Sequence, residues 1–404
     1  MSCFAKMRVL QVNNQLELGG AETVMHQLHA GLLAHGDESR ICVAHGSGYP
    51  HDVTPLYPRV LSRLYHSRFH ELTDRLFPRK AWMDRNFKGL AGCDADLIHL
   101  HNFHGDYASV ASLAYVAGHK KMVWTFHALW GVTGGCDHPG DCTRYQQRCG
   151  NCPQLGQWPV GDVDRTREQL AEKLELLSGL PLHVVAPSQW LADIVRASQV
   201  GRGWKVHTIP NGVDPSIFAP VERKPEKPNI LIVNRNFSDK LKGYPMVEEA
   251  LSSIDPAGVR IILAGADTAA AAEALGPRFD CRDLGYIRDR GKLARLYAEA
   301  DIFLFASEAE NFPCAVLEAM AAGCCAVATP TGGVREQIID GQSGLLASEI
   351  SGEALGEALR VALADPALRA RLGSAARARV IENFTEERMI ARYLEVYREV
   401  LDAS

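Results

Sequence analysis

The sequence has no apolar run long enough to cross a bilayer. Its least polar late stretch, residues 319–328, is interrupted by Gly323 and stops at Thr329-Pro330. It also has no secretory h-region: the opening MSCFAKMRVLQVNNQ supplies one Lys and a short apolar strand that gives way to Asn13 and Asn14. A cytoplasmic location is the expectation. Neither sign of charge dominates, with 43 Lys and Arg against 48 Asp and Glu and a net charge of -5, so no nucleic-acid partner is expected. Neither a G-x-G-x-x-G fingerprint nor a Walker loop occurs, which removes the signatures of dinucleotide oxidoreductases and P-loop NTPases. No short repeat is visible, which sets solenoids and coiled coils aside. The eleven cysteines are odd in number and follow no signal peptide, which suits a reducing compartment better than a disulfide framework.

What is present is an ordinary globular composition, 47% hydrophobic and 23% charged, in 404 residues, more than one core usually organises. Short β-branched runs alternate with longer amphipathic stretches. Strands are expected at 7–12, 40–44, 95–101, 122–127 and 182–186, with a helix at 21–33, and this βα order predicts a parallel sheet. The proline-rich stretch NGVDPSIFAPVERKPEKPN reads as an exposed connection, so a first domain is expected at 1–212 and a linker at 213–228. Strands at 230–233, 259–264, 302–306 and 326–329 make 229–384 a second α/β domain, with a helix at 292–299. Over 385–404, Ile390, Tyr393, Leu394, Tyr397 and Leu401 form one helical stripe that Thr385 can cap. That stripe closes the second domain or returns to brace the first.

Three segments carry candidate chemistry. Gly19-Gly20-Ala21-Glu22 lies between the first strand and the first helix, where glycines let backbone N–H groups approach a phosphate; taken alone, a simple strand-to-helix turn is the better explanation. Arg235, Lys240 and Lys242-Gly243 follow the first strand of the second domain, where cations can neutralise a departing diphosphate or merely face solvent. In SEAENFPCAVLEAMAAG, Glu310 sits in a turn after a strand and Glu318 one helical turn further in, so both carboxylates can accept hydroxyl hydrogen bonds. Helix-dipole stabilisation accounts for either glutamate singly, though not for the whole segment.

Together these residues resemble the retaining family-4 glycosyltransferases. The likeness is carried by Gly19-Gly20-Ala21-Glu22, His127, Ile209-Pro210-Asn211-Gly212-Val213-Asp214, Arg235 with Lys242-Gly243, Glu310 with Glu318, and Thr331-Gly332-Gly333 with Glu336. The resemblance implies an α/β chain with two Rossmann-like parallel-sheet domains facing across a cleft, the GT-B type. It implies metal-independent transfer of a sugar, with retention, from a UDP- or GDP-sugar to a glycan or lipid-linked acceptor, in cell-surface polysaccharide synthesis. By the same likeness, Glu310 binds the donor sugar, Glu318 the ribose, and Arg235 with Lys242 the diphosphate. Gly19, Gly20, Glu22, Lys240, Gly265, Ile287, Asn311, Phe312, Pro313 and Cys314 are implied as further donor-binding positions. His127 is implied as catalytic, while the acceptor hydroxyl loses its proton toward the leaving phosphate. Two departures stand out: the family's His-Asp pair is His127-Ala128 here, and Asn234 stands where a Gly is expected. The missing Asp supports one alternative, a sugar-nucleotide-binding scaffold without turnover, against which Glu310, Glu318 and Lys242 stand; a hydrolase or epimerase of nucleotide sugars is the other.

His127 is expected to end its strand, and His101, Asn102 and His104 in HLHNFH to stand on the acceptor side, one layer behind the residues that touch ligand. Cys136, Cys142, Cys149 and Cys152 fall in a Gly/Pro-rich loop, 134–155, whose last pair has C-x-x-C spacing; structural zinc is expected, with reduced thiols and transient disulfides as alternatives and His138 as a spare ligand. Cysteine-bearing loops of this kind occur in a subset of the transferases that the chain resembles. Segment 56–89 carries Arg59, Arg63, Arg68, Arg75, Arg79, Lys80, Arg85 and Lys88 among Leu, Tyr, Phe and Trp. It reads either as a solvated helix pair or as a surface for peripheral contact with the inner face of the membrane.

Overall fold

A computed structural model describes residues 6–16, 19–45, 53–57, 78–105, 107–222 and 226–403, the Lys240 side chain excepted. The chain forms two compact units, Met1–Ile209 with Ile390–Ser404, and Pro210–Met389. Arg59, Arg63, Arg68 and Arg75 lie outside the described residues; Arg79, Lys80, Arg85 and Lys88 fall on the helix Arg79–Gly89. No helix among the described residues is long and apolar enough to cross a membrane.

The first unit is a seven-stranded sheet of β1 (Arg8–Asn13), β2 (Glu38–Val43), β3 (Val53–Pro55), β4 (Leu97–Leu100), β5 (Lys121–Thr125), β6 (His183–Ala186) and β7 (Lys205–Thr208). The order is β3-β2-β1-β4-β5-β6-β7 and every pairing is parallel. A parallel sheet covered on both faces needs strands that are apolar throughout, and β4, β6 and most of β1 are buried accordingly. The core joins Leu10, Ile98, Leu100, Trp124 and Val184 to helix residues such as Leu113 and Leu191.

The second unit repeats the plan with six parallel strands: β8 (Asn229–Asn236), β9 (Arg260–Ala266), β10 (Asp280–Asp283), β11 (Ile302–Phe305), β12 (Cys325–Ala328) and β13 (Leu345–Leu346). Their order is β10-β9-β8-β11-β12-β13. Both sheets are therefore doubly wound, reversing direction between β1 and β4 and between β8 and β11.

Two expectations need correction. Residues 213–218 are anchored, not a free linker: Val213 bridges Thr385, Phe218 is fully buried, and the Arg377 guanidinium donates to the carbonyls of Pro215 and Phe218, while Ser216 and Ile217 between them stay exposed. His127 does not end its strand either; β5 closes at Thr125, and Phe126 N–H makes the last ladder contact, to Val185 O at 2.8 Å.

The terminal helix Glu386–Asp402 carries Ile390 onward into the first unit. Thr385 Oγ1 accepts from Arg388 N–H at 3.3 Å near its start. Tyr393, Leu394, Tyr397 and Val400 are buried on its inner face, each contributing about 1.5–3 kcal/mol of transfer free energy if fully removed from water. Gly31 makes room for this helix, since a Cβ there would lie 2.6 Å from Ile390 Cδ1.

Candidate functional site

At the reversal of a doubly wound sheet the loops leaving the two central strands go to opposite faces, and a crevice opens at the strands' carboxyl ends. In the second unit, β8 delivers Arg235 to that edge and leads into the short 3-10 turn Lys240–Lys242. On the other side, β11 leads into Ser307 and Glu310. Lys242 Nζ donates to Glu310 Oε1 at 2.6 Å, so the ion pair bridges the reversal. The two loops are laced by backbone: Leu241 O accepts from Glu308 N–H at 2.9 Å and from Ser307 Oγ at 3.0 Å.

Gly243 explains why the lysine comes with a glycine. Its φ of 67° is left-handed, and a Cβ would lie 2.9 Å from the Ala306 carbonyl carbon and oxygen, directly at the end of β11. Asn234, the departure beside Arg235, has a role: its Nδ2 donates to Lys242 O at 3.2 Å and steadies the lysine turn. Gly265, with φ 155°, permits the close approach of β9 to β8, since a Cβ would sit 1.9 Å from Asn234 O. Burial works against the Lys242 charge, but the facing Glu310 carboxylate outweighs it and holds the ammonium above its ordinary value. Arg235 is exposed and makes no ion pair among the described residues.

Glu318 lies in the helix Cys314–Ala321, apart from the Lys242–Glu310 pair. Burial pushes its carboxyl up to about 7, with the Tyr297 hydroxyl and the Arg290 guanidinium pulling partly the other way. The expectation that both glutamates do similar work thus divides: one is a paired carboxylate and the other is poised near neutrality. Between them, the carbonyls of Asn311, Phe312 and Pro313 accept from Gly333 N–H at 2.8 Å, Asn211 Nδ2 at 2.7 Å and Gln337 Nε2 at 2.9 Å. These bonds hold the segment's carbonyls inside the protein, just before the helix that Cys314 opens. Phe312 is an anchor, buried edge-on against Phe384. Ile287 is partly buried against the same core. Burial pushes the Cys314 thiol up to about 12, so it stays protonated.

In the first unit the reversal lies between β1 and β4. Gly19 and Gly20 open the helix Gly20–His35 just beyond β1. Glu22 turns inward, buried, and accepts from Asn13 Nδ2 at 3.3 Å. Asn13 Oδ1 in turn accepts the N–H groups of Asn14 at 2.9 Å and Asn102 at 3.2 Å, which ties β1 to the exit of β4.

His101, expected on the acceptor side behind the residues that touch ligand, is fully buried and holds His127. His101 Nε2 faces Gln11 Oε1 at 2.9 Å and its Nδ1 faces His127 Nε2 at 3.1 Å. With the Gln11 oxygen accepting, His101 carries its proton on Nε2 and accepts from His127 Nε2–H, leaving the lone pair of His127 on Nδ1. Burial, reinforced by His104, lowers the His127 value to about 3, so the imidazole is neutral at physiological pH. His104 pairs with Asp137 at 3.4 Å.

Sequence reasoning missed the network behind this row. Thr125 Oγ1 bonds both His99 Nε2, at 2.7 Å, and the Tyr393 hydroxyl, at 2.9 Å, while the Tyr397 hydroxyl meets His99 Nδ1 at 2.7 Å. The one signal available was a histidine, His99, inside the otherwise apolar β4 with a second just past its end, whose buried polar atoms require partners.

Residues 216–379 match the family model for glycosyl transferases group 1, and residues 18–217 match that for glycosyltransferase family 4. A protein of Escherichia coli assigned to colanic acid biosynthesis as glycosyl transferase WcaC is 27% identical over 356 residues, covering 82% of this chain and 85% of that one. The sucrose-phosphate synthase of Thermosynechococcus elongatus superposes with a TM-score of 0.74 at 21% identity, covering 99% of this chain and 100% of that one. HepE of Anabaena, solved with UDP and glucose, superposes at 0.69 with 17% identity, covering 97% and 99%. Two doubly wound parallel sheets, a cation–carboxylate pair at the reversal of the second and these matches agree, and the chain belongs to the family-4, group 1 glycosyltransferases of the GT-B fold.

Proposed function

We propose that this transferase moves a sugar, with retention of anomeric configuration and without a catalytic metal, from a nucleoside-diphosphate sugar to a glycan or lipid-linked acceptor in polysaccharide synthesis. The observation that carries the reading is the Lys242–Glu310 pair across the β8/β11 reversal, with Arg235 exposed beside it. As the bond from C1 of the sugar to the phosphate oxygen breaks, negative charge collects on the diphosphate. Lys242 and Arg235 meet that charge in place and without reorganisation, the kind of help worth most in a transition state. Glu310 accepts from sugar hydroxyls while remaining fixed by the lysine, and Glu318 accepts from the ribose diol. The acceptor oxygen bonds to C1 on the face the phosphate leaves, and its proton passes to the departing phosphate oxygen.

His127, a neutral imidazole oriented by His101, serves as a hydrogen-bonding group toward the reacting sugar, so it does not need the aspartate that the family places after it. The relative solved with UDP and glucose, and the colanic acid assignment of the E. coli protein, support this donor class and setting. The basic segment 56–89 is the surface proposed to rest on an anionic membrane near a lipid-linked acceptor.

A thermal-shift panel of nucleoside diphosphates, followed by mass spectrometry with the best donor, tests the reading. Stabilisation by one base and a mass gain of one sugar on a glycan acceptor support it. Free sugar formed regardless of acceptor identifies a hydrolase, and binding without any turnover identifies a scaffold.

A further inference from the structure

The cysteine loop contains a group of donors that the transfer reaction leaves unused. Cys136, Cys142, Cys149 and Cys152 all line one cavity of about 20 Å³, and all four are free thiols. That volume holds a single water-sized or ion-sized occupant. The loop has little else to order it: beyond the short 3-10 turn Arg144–Gln146 it has no regular element up to the helix Thr166–Leu177, and Leu155, Trp158 and Val163 are exposed. The backbone is nevertheless shaped around the sulfurs. A Cβ at Gly134 would lie 2.3 Å from Thr166 O and 2.8 Å from Cys149 Sγ, so only glycine lets the chain close over that sulfur. Asp164 Oδ2 accepts from Cys152 N–H at 2.9 Å, and Arg144, which lines the same cavity, donates to the carbonyls of Gly150 and Asn151 between the last two cysteines.

We propose that this cavity is a closed, structural zinc site with Cys136, Cys142, Cys149 and Cys152 as its four ligands. Zinc with four thiolates carries two net negative charges, and the Arg144 guanidinium on the cavity wall offsets part of them. At the root of the loop the buried Lys173 amine donates to Trp130 O at 2.5 Å and Thr133 O at 2.9 Å. The sulfurs ring the cavity without meeting. Among the described residues the three donor atoms that come within 4.8 Å of one another belong to His183, His207 and Glu399. In that trio the two imidazoles face each other at 3.1 Å and Lys205 pairs with the carboxylate. Coordination of the cysteines at about 2.3 Å therefore draws the loop inward, with the four thiol protons released to solvent.

The site has a mechanical consequence. Asp137, next to Cys136, pairs with His104 and its carbonyl accepts from Leu129 N–H at 2.9 Å, two residues beyond His127. A loop closed on zinc thereby fixes the wall beside His127, a consequence that rests on the proposed transfer function, whereas metal binding itself does not.

The test is elemental analysis of the purified full chain together with thiol titration after denaturation without reductant. About one zinc per chain is expected, with all eleven cysteines titrating as thiols and the zinc released on addition of a thiol-modifying reagent. Cys142→Ser and Cys152→Ser, at the two less buried ligands, should each cut zinc content at least tenfold, whereas Cys281→Ser, outside the loop, should leave it unchanged. Where the zinc-poor variants stay folded, the KM for acceptor should rise about tenfold and that for donor should hold within twofold. Metal-free wild type, or seven titrating thiols indicating two disulfides, overturns the proposal. Stoichiometric zinc in a chain without transferase activity sinks the transfer reading and leaves the site standing.

Discussion

Glu318→Gln isolates the group whose ionisation the fold disturbs most usefully. Its folded-state value, about 7, lies above the ordinary 4.5 because burial penalises the charged carboxylate. The folded protein thus holds the proton more tightly than the unfolded chain. That contribution to stability is full below about pH 4.5 and is lost as the pH rises through about 7. At about 1.4 kcal/mol per pH unit, the difference amounts to a ceiling of about 3 kcal/mol. Glutamine keeps the shape and stays neutral, so wild type and variant should unfold alike at pH 5, while the variant should be more stable by about 2–3 kcal/mol at pH 8.5. Urea unfolding across that range, followed in the unit that holds Glu318, gives the comparison. A ribose diol donating two hydrogen bonds favours the carboxylate form. Nucleoside diphosphate should therefore bind wild type with proton release below about pH 7, visible as a buffer-dependent heat in calorimetry, and bind the variant more weakly without it. Parallel stability curves for the two proteins would refute the reasoning, as would a proton-independent heat in wild type.

Gly243→Ala should destabilise the second unit by about 1–3 kcal/mol, because it forces a side chain into a left-handed position against the end of β11. The same change displaces Lys242, so transfer should fall more than tenfold, measured on protein still folded by circular dichroism. Tyr397→Phe leaves His99 Nδ1 buried without its 2.7 Å partner and should cost about 1–3 kcal/mol of stability in the first unit. Its donor affinity, read by calorimetry, should not change.

The parts of the architecture legible in the sequence were those under strong physical constraint. Buried strands such as β4, β6 and β11 must be apolar on both faces, and their runs stand out. The edge strands β3, β7, β10 and β13 went unread because an edge needs no such run; β10 is Asp-Cys-Arg-Asp, and β13 is two residues long. Residues 213–218 looked like a solvent-exposed connection because nothing local announces Arg377, about 160 positions away, as the donor to the Pro215 and Phe218 carbonyls. At the site, residue types and spacing pointed to Lys242 and Glu310, but only the fold shows that they answer each other across a sheet reversal. His101 was legible as a residue standing behind His127, but its burial is not written in its neighbours. Its own partner, Gln11, lies 90 positions before it. Asn234 looked like a loss and proved to be a brace for the lysine turn.

The most direct test of the central claim is the rate of sugar transfer from the best nucleotide-sugar donor, in EDTA, by wild type, Lys242→Ala and Glu310→Gln, with the anomeric configuration of the product read by NMR. The account predicts metal-independent transfer with retention in wild type. Each folded variant should lose at least about 10²–10³ in kcat, the scale of removing one preorganised electrostatic contact. Inverted product, an absolute requirement for added divalent ion, or wild-type turnover in both variants would contradict it.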